Sequence, residues 1–169
     1  GGNVFTFVQK IENISFLEAV CKVAEWIHYP LHLDTSKFQV KVDENQPLFD
    51  CIQSYIRFLT FELDSENGES VKRYLSQRKI NEDIIKRFEI GYAPESSRSV
   101  KYLKAKGFNE QILFDTGLIR THDLNTYAVF DHRLMIPIHD EHGNPVGFTA
   151  RRLNEDKDIA KYINTSETK

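Results

Sequence analysis

Three basic side chains in the last third of the chain stand where they could hold a polyanion: Arg133, Arg151 and Lys161. Arg133 opens the run Arg133-Leu134-Met135-Ile136-Pro137-Ile138, and Arg151 falls near the end of Pro145-Val146-Gly147-Phe148-Thr149-Ala150-Arg151-Arg152. The intervening Asp140-Glu141-His142-Gly143-Asn144 has the Gly and Asn of a tight reversal, so the two runs read as a β-hairpin. Side chains alternate between faces along a strand. Val146, Phe148 and Ala150 therefore share one face, expected to be the core side, and Gly147, Thr149 and Arg151 share the other. On the first run Leu134, Ile136 and Ile138 point together, and Arg133 and Met135 point the opposite way. This parity predicts that Arg133, Arg151 and Lys161 collect on one open surface, where two small residues let a ligand backbone approach a positive charge. A planar guanidinium matches phosphate with two parallel hydrogen bonds. The plainer reading is solvated charge on an exposed sheet face, and spacing alone favours it, because most Lys and Arg are exposed.

Other constellations are weaker. The glycines fall singly, at turns and helix ends, so no Gly-rich phosphate loop is present. His132, His139 and His142 lie among Asp131, Asp140 and Glu141, but ligands placed across a hairpin turn would splay outward, and a solvated turn is expected rather than a metal site. Asp156 and Asp158 sit in a charged stretch and read as solubilising. Arg87, beside Ile84, Ile85 and Phe88, reads on its own as a helix-surface residue.

The elements that position these residues begin with two short helices. One covers residues 3–12 behind an Asn3 cap; the next opens at Ser15, where Ser15 and Glu18 form a capping box. Pro30 ends the pair. Residues 30–46 read as a linker with a short extended piece at 38–42. A long amphipathic helix then starts at Pro47, with Leu48, Cys51, Ile52, Tyr55, Leu59 and Leu63 on its apolar stripe. Helices follow at 69–77, after the Asn81 cap, at 98–106, and from the Asn109 cap to Gly117. Residues 90–94 leave a helix and look extended. Leu118-Ile119-Arg120 and the run 126–130 lead into the hairpin. Helices in the N-terminal half and antiparallel strands in the C-terminal third predict an α+β fold.

Composition narrows the classes further. The 169 residues, 40% of them hydrophobic, suffice for one packed domain and a piece of another. A net charge of -3 argues against a free-standing, strongly basic nucleic-acid binder but permits a local basic groove. Cys21 and Cys51 lie in apolar helical patterns and are expected to be buried and unlinked, which makes an intracellular, cytoplasmic location the expectation. No apolar run approaches the ~20 residues of a bilayer span, and no membrane partner is expected. The Gly-Gly start and polar finish read as cuts within a longer protein.

Several of these segments together resemble one family. Gly1 to Phe7 with Ser15 to Val20, then Arg87-Phe88-Glu89-Ile90-Gly91-Tyr92-Ala93-Pro94, and finally the hairpin with Lys161-Tyr162-Ile163-Asn164-Thr165-Ser166-Glu167-Thr168, are similar to bacterial replicative primases, the DnaG family. The resemblance implies the tail of a zinc-binding domain at residues 1–29, a linker at 30–46, and the N-terminal subdomain of an RNA polymerase core at 47–169. It implies that Arg87, Arg133, Arg151, Lys161, Tyr162 and Asn164 bind single-stranded template and incoming nucleotide. It also implies that no catalytic residue and no metal ligand lies in this chain. In the family the metal-binding carboxylates follow in a TOPRIM subdomain and the zinc ligands precede, so Mg or Mn and structural Zn belong to the parent protein, and this segment alone is expected to be inactive. Implied partners are single-stranded DNA, ribonucleotides and, through regions outside this chain, a replicative helicase.

The chain departs from the family pattern twice. Thr149-Ala150 stand where a glycine pair is usual, and Tyr127-Ala128-Val129-Phe130-Asp131-His132-Arg133 lacks two of the usual positive charges. The missing charges put the template affinity of the surface in question. Two other readings stay open: an accessory nucleic-acid-binding domain with no polymerase, and a protein-interaction module whose hairpin is purely structural.

Overall fold

The computed structural model describes residues 3–12, 14–31, 44–153 and 159–165. It divides into two compact units, Gly1–Lys41 and Val42–Lys169. The smaller unit contains α1 (Val4–Glu12) and α2 (Phe16–Trp26). Asn3 Oδ1 accepts from Thr6 N–H at 2.9 Å, and the expected capping box forms: Ser15 N–H donates to Glu18 Oε2 at 2.7 Å while Glu18 N–H donates to Ser15 Oγ at 3.3 Å. Cys21 is exposed, against the expectation of burial, while Cys51 is buried. Helical periodicity marked an apolar stripe through Cys21, but two short helices cannot surround a stripe completely. The extended piece expected at 38–42 lies outside the described residues.

The larger unit is built around α3 (Gln46–Asp64), which starts with Pro47 in its first turn. Its buried residues Cys51, Ile52, Tyr55, Ile56, Phe58, Leu59 and Leu63 follow the 3.6-residue period. A 3-10 turn at Glu66–Gly68 leads to α4 (Glu69–Gln77), then α5 (Glu82–Arg87), whose Asn81 cap accepts from Ile84 N–H at 3.0 Å. Next come β1 (Gly91–Ala93), α6 (Ser96–Ala105) and α7 (Glu110–Asp115), with Asn109 capping α7 as expected. Strands β2 (Ile119–His122) and β3 (Asn125–Ala128) form a separate hairpin; β4 (Arg133–His139), β5 (Pro145–Arg152) and β6 (Tyr162–Asn164) join β1 in an antiparallel sheet ordered β1-β4-β5-β6. The α+β architecture is the expected one. The pairing of β1 with β4 and the existence of β6 were not.

The four-stranded sheet is covered on both faces. Met135, Phe148 and Ala150 meet α3, α6 and α7 through Tyr55, Leu59, Leu103 and Leu113. Leu134, with Tyr92, meets Leu63, Val71, Leu75 and Ile90 on the other side, and half-buried Tyr74, Ile80 and Ile136 border that cluster. A half-buried ion pair fastens α3 to α6: fully buried Glu62 accepts from Arg98 Nε at 2.8 Å and lies 2.7 Å from its terminal nitrogen, while the Arg98 side chain stays about half exposed.

Candidate nucleic-acid interface

The register of β4, β5 and β6 decides which side chains meet. Leu134 pairs with Arg151, Ile136 with Thr149 and Ile138 with Gly147, so all six share one face. Arg151 in turn pairs with Tyr162, and Thr149 with Asn164, which brings both β6 residues to the same face. Ile163 pairs with Ala150 and falls on the core side.

Arg133 is on the opposite face, which corrects the expected gathering of Arg133 with Arg151. It pairs with Arg152, is only 4% exposed, and donates to the Ala160 carbonyl at 3.0 Å and the Lys161 carbonyl at 3.5 Å. Burial, and then the like charge of Arg152, hold its guanidinium below the ordinary arginine value, with Asp131 opposing them. The parity of β4 is the expected one, but its set Leu134, Ile136 and Ile138 lies beside Arg151, on the face opposite the Met135 and Phe148 core. With helices on both faces, both parities are apolar, and only the pairing shows that Leu134 accompanies Arg151. Lys161 is exposed just before β6, and its carbonyl accepts from Arg152 N–H at 2.8 Å.

Arg151 is held by rings. Its Cζ lies 5.0 Å from the Tyr74 ring centre and 5.5 Å from that of Tyr162. Arg78, the residue after α4, places its Cζ 5.4 Å from the same Tyr74 ring. Tyr74 and Arg78 are i and i+4 and therefore lie one above the other on the helix. The backbone turns away directly after Arg78: Lys79 N–H donates to Ser76 C=O at 2.9 Å and Ile80 N–H to Leu75 C=O at 3.0 Å, a Schellman closure with Lys79 at φ 60°. Sequence reading missed both residues. The i, i+4 Tyr-Arg spacing was visible, but nothing in it showed that α4 crosses the Arg151 face.

A cavity of about 280 Å³ opens here, rimmed by Tyr74, Arg78, Arg151 and Tyr162 over Leu134 and Ile136, and among the described residues no acidic one lines it. Arg151 Nε is buried with no hydrogen-bond partner among the described residues. No ion pair joins Arg78 or Arg151 to a carboxylate among the described residues. The arrangement is two guanidinium groups without a carboxylate partner among the described residues, beside an apolar floor, which suits phosphate next to a flat base. Arg87 is exposed at the end of α5, its Cζ 5.8 Å from the neighbouring Phe88 ring, and no contact joins it to this group among the described residues.

A catalytic metal has no fit in these residues: among those described, no group of three or more His, Cys, Asp or Glu could hold one. His139 lies 3.3 Å from Glu89 and His142 3.6 Å from Glu141. No described helix is long and apolar enough to cross a membrane.

Residues 58–169 match the family described as the N-terminal domain of the DNA primase catalytic core. The DNA primase of Lactococcus lactis subsp. lactis (strain IL1403) is 34% identical over 99% of this chain, which covers 26% of that protein. Among solved structures, the DnaG primase catalytic domain bound to single-stranded DNA superposes with a TM-score of 0.65 at 34% identity, covering 73% of this chain and 38% of that one. The Aquifex aeolicus primase, with its zinc-binding and RNA polymerase domains, gives 0.64 at 28% identity over 99% of this chain and 39% of that one. The chain belongs to the DnaG-type DNA primase family. It spans about a quarter of the length of the curated relatives it matches.

Proposed function

We propose that this chain is part of an enzyme that synthesises short RNA primers on single-stranded DNA, and that the Arg151 face holds template phosphates and incoming ribonucleotide. The observation that carries the reading is Arg151 itself: a cation clasped by Tyr74 and Tyr162, with no carboxylate partner among the described residues. Asn164, Lys161 and Arg87 complete the ligand contacts in this proposal, and Arg78 joins them. Arg133 acts from behind the sheet, tying the Ala160 and Lys161 carbonyls so that Tyr162 and Asn164 are presented correctly. The single-stranded DNA held by a relative of this fold supports the choice of template.

The same proposal divides the chain into a zinc-domain tail at 1–29, a linker at 30–46 and a polymerase subdomain at 47–169. Nucleotidyl transfer would use divalent metal held by carboxylates elsewhere in the parent protein. The helicase would engage other regions, and the enzyme would work in the cytoplasm.

Binding of the full-length protein to labelled oligothymidylate over a range of salt tests the reading. Each lost phosphate contact on a single strand lowers the salt slope by about 0.7. Arg151→Ala is expected to weaken binding about tenfold and lower the slope by that amount; Lys101→Ala, on exposed α6 surface, should change neither. Binding unaffected by Arg151→Ala overturns the site. Binding without ribonucleotide joining on a template overturns the primer-synthesis half and favours an accessory binding domain.

A further inference from the structure

Two cations lie over the Tyr74 ring, which neither neutralises nor hydrogen-bonds them. Arg78 and Arg151 each place Cζ over its ring, at 5.4 and 5.0 Å from the ring centre. Its hydroxyl has no hydrogen-bond partner among the described residues. The residue is half-buried at the edge of the Leu75 and Leu134 cluster, so packing fixes the plane of its ring. Tyr162, the other ring on Arg151, is 58% exposed and far less constrained.

We propose that Tyr74 is a positioning residue for the anion-binding face: its ring aligns the Arg151 and Arg78 guanidiniums and leaves their charge available to phosphate. This rests on the function proposed above. The physical reason is the choice of partner. Arginine side chains in proteins are commonly oriented by a carboxylate, which also cancels the charge. An aromatic face orients the guanidinium plane through its quadrupole and leaves the N–H edge free to donate. A long, flexible side chain held in this way loses less rotamer freedom when its ligand arrives, so affinity rises without added charge. The neighbouring cavity of about 570 Å³ between α3, α4 and α5 is the contrast. There Lys72 pairs with Asp64 at 2.6 Å and Lys86 lies 3.9 Å from Glu82, so the cations are already answered.

The test uses the full-length protein, labelled oligothymidylate and a salt titration, each variant's thermal unfolding being recorded so that binding is measured well below its midpoint. Tyr74→Phe should bind as the parent does. Tyr74→Leu, which keeps apolar bulk and removes the ring, should weaken binding about fivefold with the salt slope unchanged, because no charge is lost. Tyr74→Glu should lower the slope by about 0.7, because it supplies the cancelling carboxylate. A purely structural Tyr74 would lower the unfolding midpoint in Tyr74→Leu and leave binding intact, and that result overturns the proposal; so does failure of Tyr74→Phe to bind. Arg151→Ala separates the two levels: if it weakens binding while Tyr74→Leu does not, only the positioning role falls, and if it has no effect, the ligand-binding reading falls with it.

Discussion

Thr165 and Phe148 are bonded in both directions: Phe148 N–H donates to Thr165 Oγ1 at 3.0 Å, and Thr165 N–H donates to the Phe148 carbonyl at 3.0 Å. This pair ties the residue after β6 to β5, and β6 carries Tyr162 and Asn164 onto the Arg151 face. Gly147 makes it possible, because a Cβ there would overlap the Thr165 hydroxyl. Thr165→Val should cost about 1 kcal/mol in urea unfolding, the net value of one hydrogen bond, and Gly147→Ala should cost more. A Gly147→Ala protein as stable as the parent would show that the contact is not required.

Arg98→Ala leaves the buried Glu62 carboxylate with Asn67, 3.0 Å away, as its remaining side-chain donor among the described residues. Arg98 is half exposed, so water can enter the space it leaves and answer part of the Glu62 charge, and a loss of about 1–2 kcal/mol is expected. Glu62→Gln should cost less, because the buried group is then neutral. Denaturant titration of the two variants checks the order; Arg98→Ala within 0.5 kcal/mol of the parent would refute it.

Lys79 holds φ 60° at the end of α4 in a position where glycine carries no steric penalty. Lys79→Gly should stabilise the protein by about 0.5–1 kcal/mol, the left-handed penalty less the extra freedom of the unfolded chain. Calorimetry should show a higher midpoint; a lower one would mean the Lys79 side chain contributes contacts of its own.

Asp140 organises the β4–β5 turn. Desolvation pushes its carboxyl up, but hydrogen bonds from Asn144 N–H, the Asn144 side chain and His142 N–H outweigh it and hold the group below its ordinary value. A lowered folded value means that the ionised group stabilises the turn above the unfolded carboxylate value, about 3.9. That contribution disappears as pH falls through the lower folded value. Amide shifts of His142 and Asn144 should therefore titrate with a midpoint below 3.9; a midpoint above it contradicts the sign.

The two thiols should separate cleanly under alkylation. Cys51 is fully buried, and burial, with a Thr116 hydrogen bond opposing, pushes its thiol up to about 12; Cys21 is exposed. Mass spectrometry of the native protein should find label at Cys21 alone, with Cys51 reacting only after denaturation. Equal labelling of both would mean that α3 opens readily.

Much of the local structure was legible because its causes lie within a few residues. Asn3, Ser15 with Glu18, Asn81 and Asn109 announce four helix starts, and each makes the expected cap. The hairpin at Asp140–Asn144 and the stripe along α3 were equally plain. Less visible were Glu62, a carboxylate on an otherwise apolar stripe whose partner is 36 residues away, and β6, only three residues long, which becomes a strand by pairing with β5. Arg133 shows the same limit. Its parity was correct, and its surroundings depended on what lies over each face.

Caps, turns and amphipathic periods, together with the motif residues that resemble primases, were determined by the sequence alone, because each depends on neighbours along the chain. Tertiary structure alone decided that Arg151, Tyr74, Arg78 and Tyr162 meet while Arg133 is buried behind them. The reason is register: pairing sets which residue stands opposite which, and a shift of one position would send every side chain to the other face.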